Sequence, residues 1–259
     1  MTAIHPQWVT YGVRHGWMWR GTIPAKELQG ASFAVQATRV ACTAEGGCID
    51  AVQCYDTGIM TAGPIGATAM FGALARLLAE IAAPVRERHL GALCESRHLG
   101  LREGANPAFT VGLRTATKDE LRKAFLGDSD QAHWEREDAE AQLALEWTVA
   151  LAELMGDLEA RRAIATASAK TILGYLAPAA AKILGCDATA ISERPAVRRA
   201  IACHLAFAIN NPRGALAVLQ LSGPDADRML DVASQSGPWP VTFPQRVTRT
   251  RVALAAEVW

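Results

Sequence analysis

The sequence predicts an α+β fold, mainly α, with a small β-hairpin lobe near the N-terminus and a larger helical lobe behind it. Three observations carry this. Two short alternating runs, Ile49 to Tyr55 and Ile59 to Ala62, flank the turn triplet Asp56-Thr57-Gly58, and alternation around a turn containing Gly reads as a β-hairpin. Aromatic content is low, at 6%, while Ala and Leu are abundant, a composition that favours helix. From Thr117 onward, apolar residues at helical spacing are punctuated by residues that start and stop helices.

In chain order, residues 1–31 place Trp8, Tyr11, Trp17 and Trp19 among Gly and Pro. They read as an irregular N-terminal arm packed on the core, the other reading being an aromatic face for a sugar or a partner. Ser32 to Thr43 fits either a strand or a short helix. After the hairpin, Gly63-Pro64-Ile65-Gly66 breaks the chain, and Ala67 to Ala83 follows with Met70, Leu74, Leu77, Leu78 and Ile81 on one helical face. Pro84 is expected to end or kink that helix. Residues 84–116 read as a less regular loop region carrying Arg86, Arg88, Arg97 and Arg102. Thr117 with Glu120 is a capping box opening a short helix. Gln131 to Met155 reads as one long helix, and Gly156-Asp157 as its break and the next N-cap. Leu158 to Leu184 should be bent or split at Pro178 and stopped at Gly185. Pro195 and Pro212 fit first helical positions. The first opens a helix with the stripe Val197, Ile201, Leu205 and Ile209, ending at Asn210-Asn211. A short helix over Asp225 to Val232 comes next, then a rigid loop from Ser236 through Pro240, and a tail read as a strand or docking segment.

No repeat or linker interrupts this, so the reading is a single domain over 1–259, with residues 1–66 as arm and hairpin lobe and 67–259 as helical lobe. Formal net charge is zero, so no basic surplus points to nucleic acid. No apolar run reaches the ~18 residues of a membrane span. Cys42, Cys48 and Cys54 lack C-x-x-C spacing, so no zinc site and no other cofactor is expected. The start MTAIHPQWVTYG lacks the basic head and apolar core of a signal peptide. The expectation is a chain made in the cytoplasm, with its six thiols mostly unbridged.

The stretch Thr43 to Gly66, TAEGGCIDAVQCYDTGIMTAGPIG, concentrates the chemistry. Glu45 precedes Gly46-Gly47, Asp56 stands at the hairpin tip, and Thr61 follows on the return strand. The order Glu, hairpin Asp, strand Thr resembles the lysozyme superfamily, most closely its phage-type muramidases. The segment Thr43–Gly63 is also similar to peptidoglycan hydrolases of phages and phage-tail-like injection particles, with a T-x-E-G-G, Y-D, T-x-G-x-x-Q pattern. It departs from that pattern where Gly66-Ala67 stand in place of the Gln region. Weaker similarity to the same group lies in Leu121 to Ser129 and in Ala206-Phe207-Ala208-Ile209-Asn210.

The resemblance implies a lysozyme-like fold and a muramidase that cuts the glycan strands of peptidoglycan. Glu45 would be the general acid, with Asp56 and Thr61 holding a water that attacks the opposite face. Such a placement inverts the anomeric centre. Asp50 competes with Asp56 for the second carboxylate. Tyr55, Asn210 and Trp239 are candidates for substrate contact, although aromatic residues of this kind serve equally as packing. The other reading is a catalytically silent lysozyme-like module that binds wall or assembles with phage-tail or injection-particle proteins. Either way, the chain would reach the wall by particle or by lysis.

Overall fold

Helix accounts for 58% of the chain and strand for 12%, in eleven α-helices and two small sheets among the described residues, so the protein is α+β and mainly helical. The computed structural model describes residues 3–55, 58–175, 177–186, 194–209, 212–235 and 244–259. The N-terminal part runs β1 (Gln7–Tyr11), β2 (Arg14–Trp19), a 3-10 turn, α1 (Phe33–Glu45), β3 (Val52–Gln53), β4 (Thr61–Ala62) and β5 (Ala67–Thr68). The middle runs α2 (Ala73–Ala79), α3 (Ala83–Ser96), β6 (Leu99–Arg102), β7 (Ala108–Val111), β8 (Arg114–Thr115), α4 (Lys118–Leu126) and α5 (Ala139–Gly156). Helices complete the chain: α6 (Leu158–Tyr175), α7 (Ala177–Ile183), α8 (Pro195–Ala208), α9 (Pro212–Ser222), α10 (Ala226–Ser234) and α11 (Pro244–Ala256). Two compact units emerge, each discontinuous in sequence. One comprises Met1–Ile23 with Cys48–Ala167, the other Pro24–Gly47 with Ser168–Trp259.

The first unit is built on an antiparallel sheet in the order β1-β2-β3-β4-β5. The N-terminal segment is therefore not an irregular arm. Its first two strands form a hairpin closed by Gly12-Val13, with Trp8 facing Trp17 across the ladder. Gly12 has φ 62, the backbone that a two-residue hairpin loop opening on Gly requires. The expected hairpin around residues 56–57 is present, pairing Val52 with Ala62 and Gln53 with Thr61, and it is shorter than the alternation predicts. Trp17 points into the core at 3% exposure, and its indole N–H donates to the Ala141 carbonyl of α5 at 2.7 Å.

Several expectations for this unit are corrected. The helix expected from Ala67 begins only at Ala73, because Ala67 and Thr68 pair with β4 as a fifth strand. Pro84 does not end a helix: it occupies the first turn of α3, where its missing N–H has no partner to lose. Residues 84–116 are consequently ordered into α3 and the β6-β7-β8 sheet. The helix expected from Gln131 starts at Ala139, since Gln131–His133 form a separate 3-10 turn. The Thr117 capping box forms as expected: the Thr117 hydroxyl accepts from the Glu120 N–H, and the Glu120 carboxylate accepts from the Thr117 N–H at 2.9 Å.

The second unit is helical. The ambiguous stretch after Ser32 is helix α1, with the Ser32 hydroxyl accepting from the Val35 N–H. Pro195 and Pro212 open α8 and α9, and Gly185, at φ 63, follows α7. Helix α8 is apolar well beyond its expected stripe: Ala200 through Ala208 are all buried. A helix buried all round is a central one, and α8 is surrounded by α1, α7, α9, α10 and α11. Of the two readings of the tail, strand or docking segment, the second agrees with the structure. The tail forms α11, burying Arg246, Val247, Thr250, Ala253 and Leu254. Among the described residues, no helix is long and apolar enough to cross a membrane.

Candidate functional site

Glu45 is the last residue of α1, in the second unit. The helix stops there because the next two backbone positions suit only glycine. Gly46 has φ 149 and Gly47 φ 88, and both N–H groups return to the Cys42 carbonyl, at 3.2 and 2.8 Å. A Cβ built at either glycine would meet nothing within 4 Å. The carboxylate therefore emerges from a helix end beside uncrowded backbone. Its side chain is 27% exposed and takes an ion pair from Arg246 of α11 at 2.7 Å.

Arg246 is 6% exposed. Burial lowers its pKa from the ordinary guanidinium value, and the charge of Glu45 pulls it back. Neither residue is near the other in sequence, and no local pattern marks Arg246 as a partner. Helix α1 is tied to the chain end at further points: Arg39 grips the Glu257 carboxylate through two bonds of 2.6 Å, and the Gln36 amide donates to the Val258 carbonyl at 2.7 Å. On its other flank Arg198 of α8 donates to Gln36 Oε1 at 2.6 Å. The bearing of Glu45 is thus set by helices from the far end of the sequence.

Thr61 and Tyr55 belong to the first unit. Cross-strand partners share a face of a sheet, so the ladder Met18, Gln53, Thr61, Thr68 defines one face, and Trp19, Val52, Ala62, Ala67 the other. The second face is core: Val52, Ala62 and Ala67 are all buried. The first face carries an amide and two hydroxyls in a row, with Thr61 at 7% exposure. Tyr55 joins it by donating its hydroxyl to Gln53 Oε1 at 2.9 Å, and its ring lies 5.7 Å from that of exposed Tyr11. On this face Thr61 is buried, whereas Gln53, Tyr55 and Thr68 are half-buried. Tyr11 is one of the N-terminal aromatics marked in the sequence, whereas no local pattern marks Gln53 or Thr68; the cross-strand register is what puts Gln53 and Thr68 on the side of Thr61.

Asp50, the competing carboxylate, is a structural tie. It is 3% exposed, and its oxygens accept from the backbone N–H of Thr22 and of Ile23, each at 2.9 Å, and from the Trp19 indole at 3.0 Å. Gly21 lets the loop close over it: a Cβ there would lie 2.4 Å from Cys48 Cβ and 2.7 Å from Asp50 Oδ1. A carboxylate so enclosed has no room to meet a substrate. The nearby Cys48 thiol has its pKa raised, first by its own burial and then by the charge of Asp50.

The structure thus brings Tyr55, Gln53 and Thr61 together in one unit and Glu45 with Arg246 in the other. Asp56, Asn210 and Trp239 lie outside the described residues. No cluster of His, Cys, Asp or Glu able to hold a metal ion occurs among the described residues, and no disulfide forms among them. Comparison of the chain with family models, with curated proteins and with solved structures gives no match.

Proposed function

We propose that this chain is a lysozyme-like glycoside hydrolase that cleaves the glycan strands of peptidoglycan, with Glu45 as general acid and Asp56 and Thr61 positioning the attacking water. The observation that supports this most is the build at Glu45: a carboxylate closing a helix, beside two glycines whose backbone stands open. Glycosidic cleavage needs a proton delivered to the leaving oxygen at close range, and bare backbone lets a sugar ring approach. The polar face bearing Gln53, Thr61 and Thr68 supplies the kind of hydroxyl that orients a water, and Tyr55 with Tyr11 the kind of aromatic edge that a sugar ring packs on. A protein with this substrate, made in the cytoplasm, reaches the wall through a particle or lysis.

One observation favours a second reading, a wall-binding or particle-building module without catalysis. Arg246 sits against Glu45, and a guanidinium at that distance favours the carboxylate over the acid that must donate. Purified peptidoglycan separates the two readings. The hydrolase should release soluble fragments carrying new reducing ends. Glu45→Gln should lower that release by on the order of 100- to 10,000-fold, the usual worth of a general acid. Equal release by the variant removes Glu45 from the mechanism. Wall binding with no release by the native chain establishes the silent module.

A further inference from the structure

A cavity lies within the first unit, lined by none of the site residues assigned above. It has a volume of about 460 Å³, inside the ~300–1,000 Å³ range of small-molecule sites. Its floor is aromatic and aliphatic. Phe109, Phe125 and Trp147 form a chain of rings with centroids 5.4 and 4.6 Å apart, and Leu90 and Leu151 complete it. The polar atom of that floor is already satisfied, because the Trp147 indole N–H donates to the Ala124 carbonyl at 3.0 Å. Whatever enters must therefore present an apolar body.

The lip is built by α3. Glu87, Gly91 and Glu95 recur every four residues along it and all line the cavity. Successive turns of a helix present such residues on one side. Gly91 interrupts the helix interior, where glycine costs roughly 1 kcal/mol relative to alanine. No packing requires it, because a Cβ there would meet only Glu87 Cβ, at 3.8 Å. What its missing side chain does is leave the lip open. The two glutamates are exposed and have no ion-pair partner among the described residues. Among the described residues that line the cavity, the cation is Arg86, and it is already held by Glu103 and by the Ile81 and Leu78 carbonyls. The entrance is thus net acidic over an apolar floor.

We propose that this cavity binds a cationic amphiphile, a primary amine on an alkyl or arylalkyl body, with the body on the Phe109–Phe125–Trp147 floor and the ammonium at Gly91 between Glu87 and Glu95. The inference is independent of the glycosidase reading, since none of these residues takes part in it.

The test compares three ligands of one chain length, decylammonium, decanol and decanoate, by calorimetric titration of the native chain below their micelle concentrations. Decylammonium should bind saturably, decanol several-fold more weakly, and decanoate at least tenfold more weakly. Glu87→Gln with Glu95→Gln should erase the preference for the amine and keep decanol binding. Gly91→Leu, which projects a side chain into the opening, should weaken all ligands at least tenfold. A readout that needs no variant comes from Cys94, which lines the cavity and whose thiol burial pushes up to about 11. Decylammonium should slow alkylation of Cys94, followed by mass spectrometry, and leave that of Cys186 unchanged. Decanoate binding as tightly as the amine overturns the proposal, as does unchanged Cys94 alkylation at millimolar amine.

Discussion

Acid should destabilise the second unit through a single histidine. His204 lies in the middle of α8 at 1% exposure, and its Nδ1 has no hydrogen-bond partner. Burial drives its pKa from 6.5 down to about 4, opposed only by a hydrogen bond to the Ala215 backbone. The folded protein therefore holds this ring neutral, while the unfolded chain protonates it near its ordinary value. Between these two values the unfolded state binds more protons, so stability is intact above about pH 6.5 and lost as the pH falls toward 4. At about 1.4 kcal/mol per tenfold, the full gap is worth roughly 3 kcal/mol, of which about 2 is lost by pH 5. That is a large share of the ~5–15 kcal/mol that holds a typical domain. Urea denaturation of the native chain and of His204→Met at pH 7.5, 6 and 5 isolates the effect, because other titrating groups contribute equally to both. The gap between the two stabilities should change by about 2 kcal/mol from pH 7.5 to pH 5, in favour of the variant. An NMR titration should show the His204 ring still neutral at pH 5. Parallel pH profiles for the two proteins would refute the reasoning.

Three further outcomes follow from the site. Asp50→Asn should lower stability by roughly 2–4 kcal/mol in chemical denaturation, because an amide cannot accept the several N–H bonds the carboxylate accepts, and hydrogen bonds to charged groups are each worth about 1.5–3 kcal/mol. Arg246→Met should raise the pH at which peptidoglycan is cleaved fastest, because it removes a guanidinium that lies 2.7 Å from Glu45 and favours its carboxylate form; an unshifted pH optimum shows that this ion pair does not govern the acid. Thr61→Ala should slow turnover more than it weakens wall binding, and the first product seen by NMR should carry the inverted anomeric configuration. A retained configuration removes Thr61 and Asp56 from water positioning while leaving Glu45 as the acid.

Local signals were the legible ones. The capping box at Thr117, the prolines opening α8 and α9, and the glycine after α7 all act within one helical turn, and the structure carries each of them. Pro84 was misjudged because proline marks helix starts and helix stops alike, and only the residues that follow decide which. The first hairpin was hidden because its turn, Gly12-Val13, lacks the Asn-Gly or Asp-Gly signature and its tryptophans read equally well as packing residues. Helix α11 was missed for a different reason. Its sequence is rich in Thr, Val and Arg, and its buried Arg246 pairs with Glu45, far away in the sequence. The place of Glu45 before two glycines was visible in the chain, whereas its partner was not, because an ion pair across roughly 200 positions leaves no periodicity to read.

That distance has a consequence for how the protein is made. Helix α1 finds its neighbours α8 and α11 only when they exist, and on a ribosome adding about 5–20 residues per second the wait from Glu45 to Arg246 is on the order of 10–40 s. Through that interval Val35, Val40, Ala41 and Ala44, buried in the finished protein, belong to a helix that lacks first α8 and then still α11. The nascent chain must carry that sticky segment while the intervening residues are synthesised. It is the point at which a holding chaperone would be most useful, and at which premature release would leave the acid without its arginine.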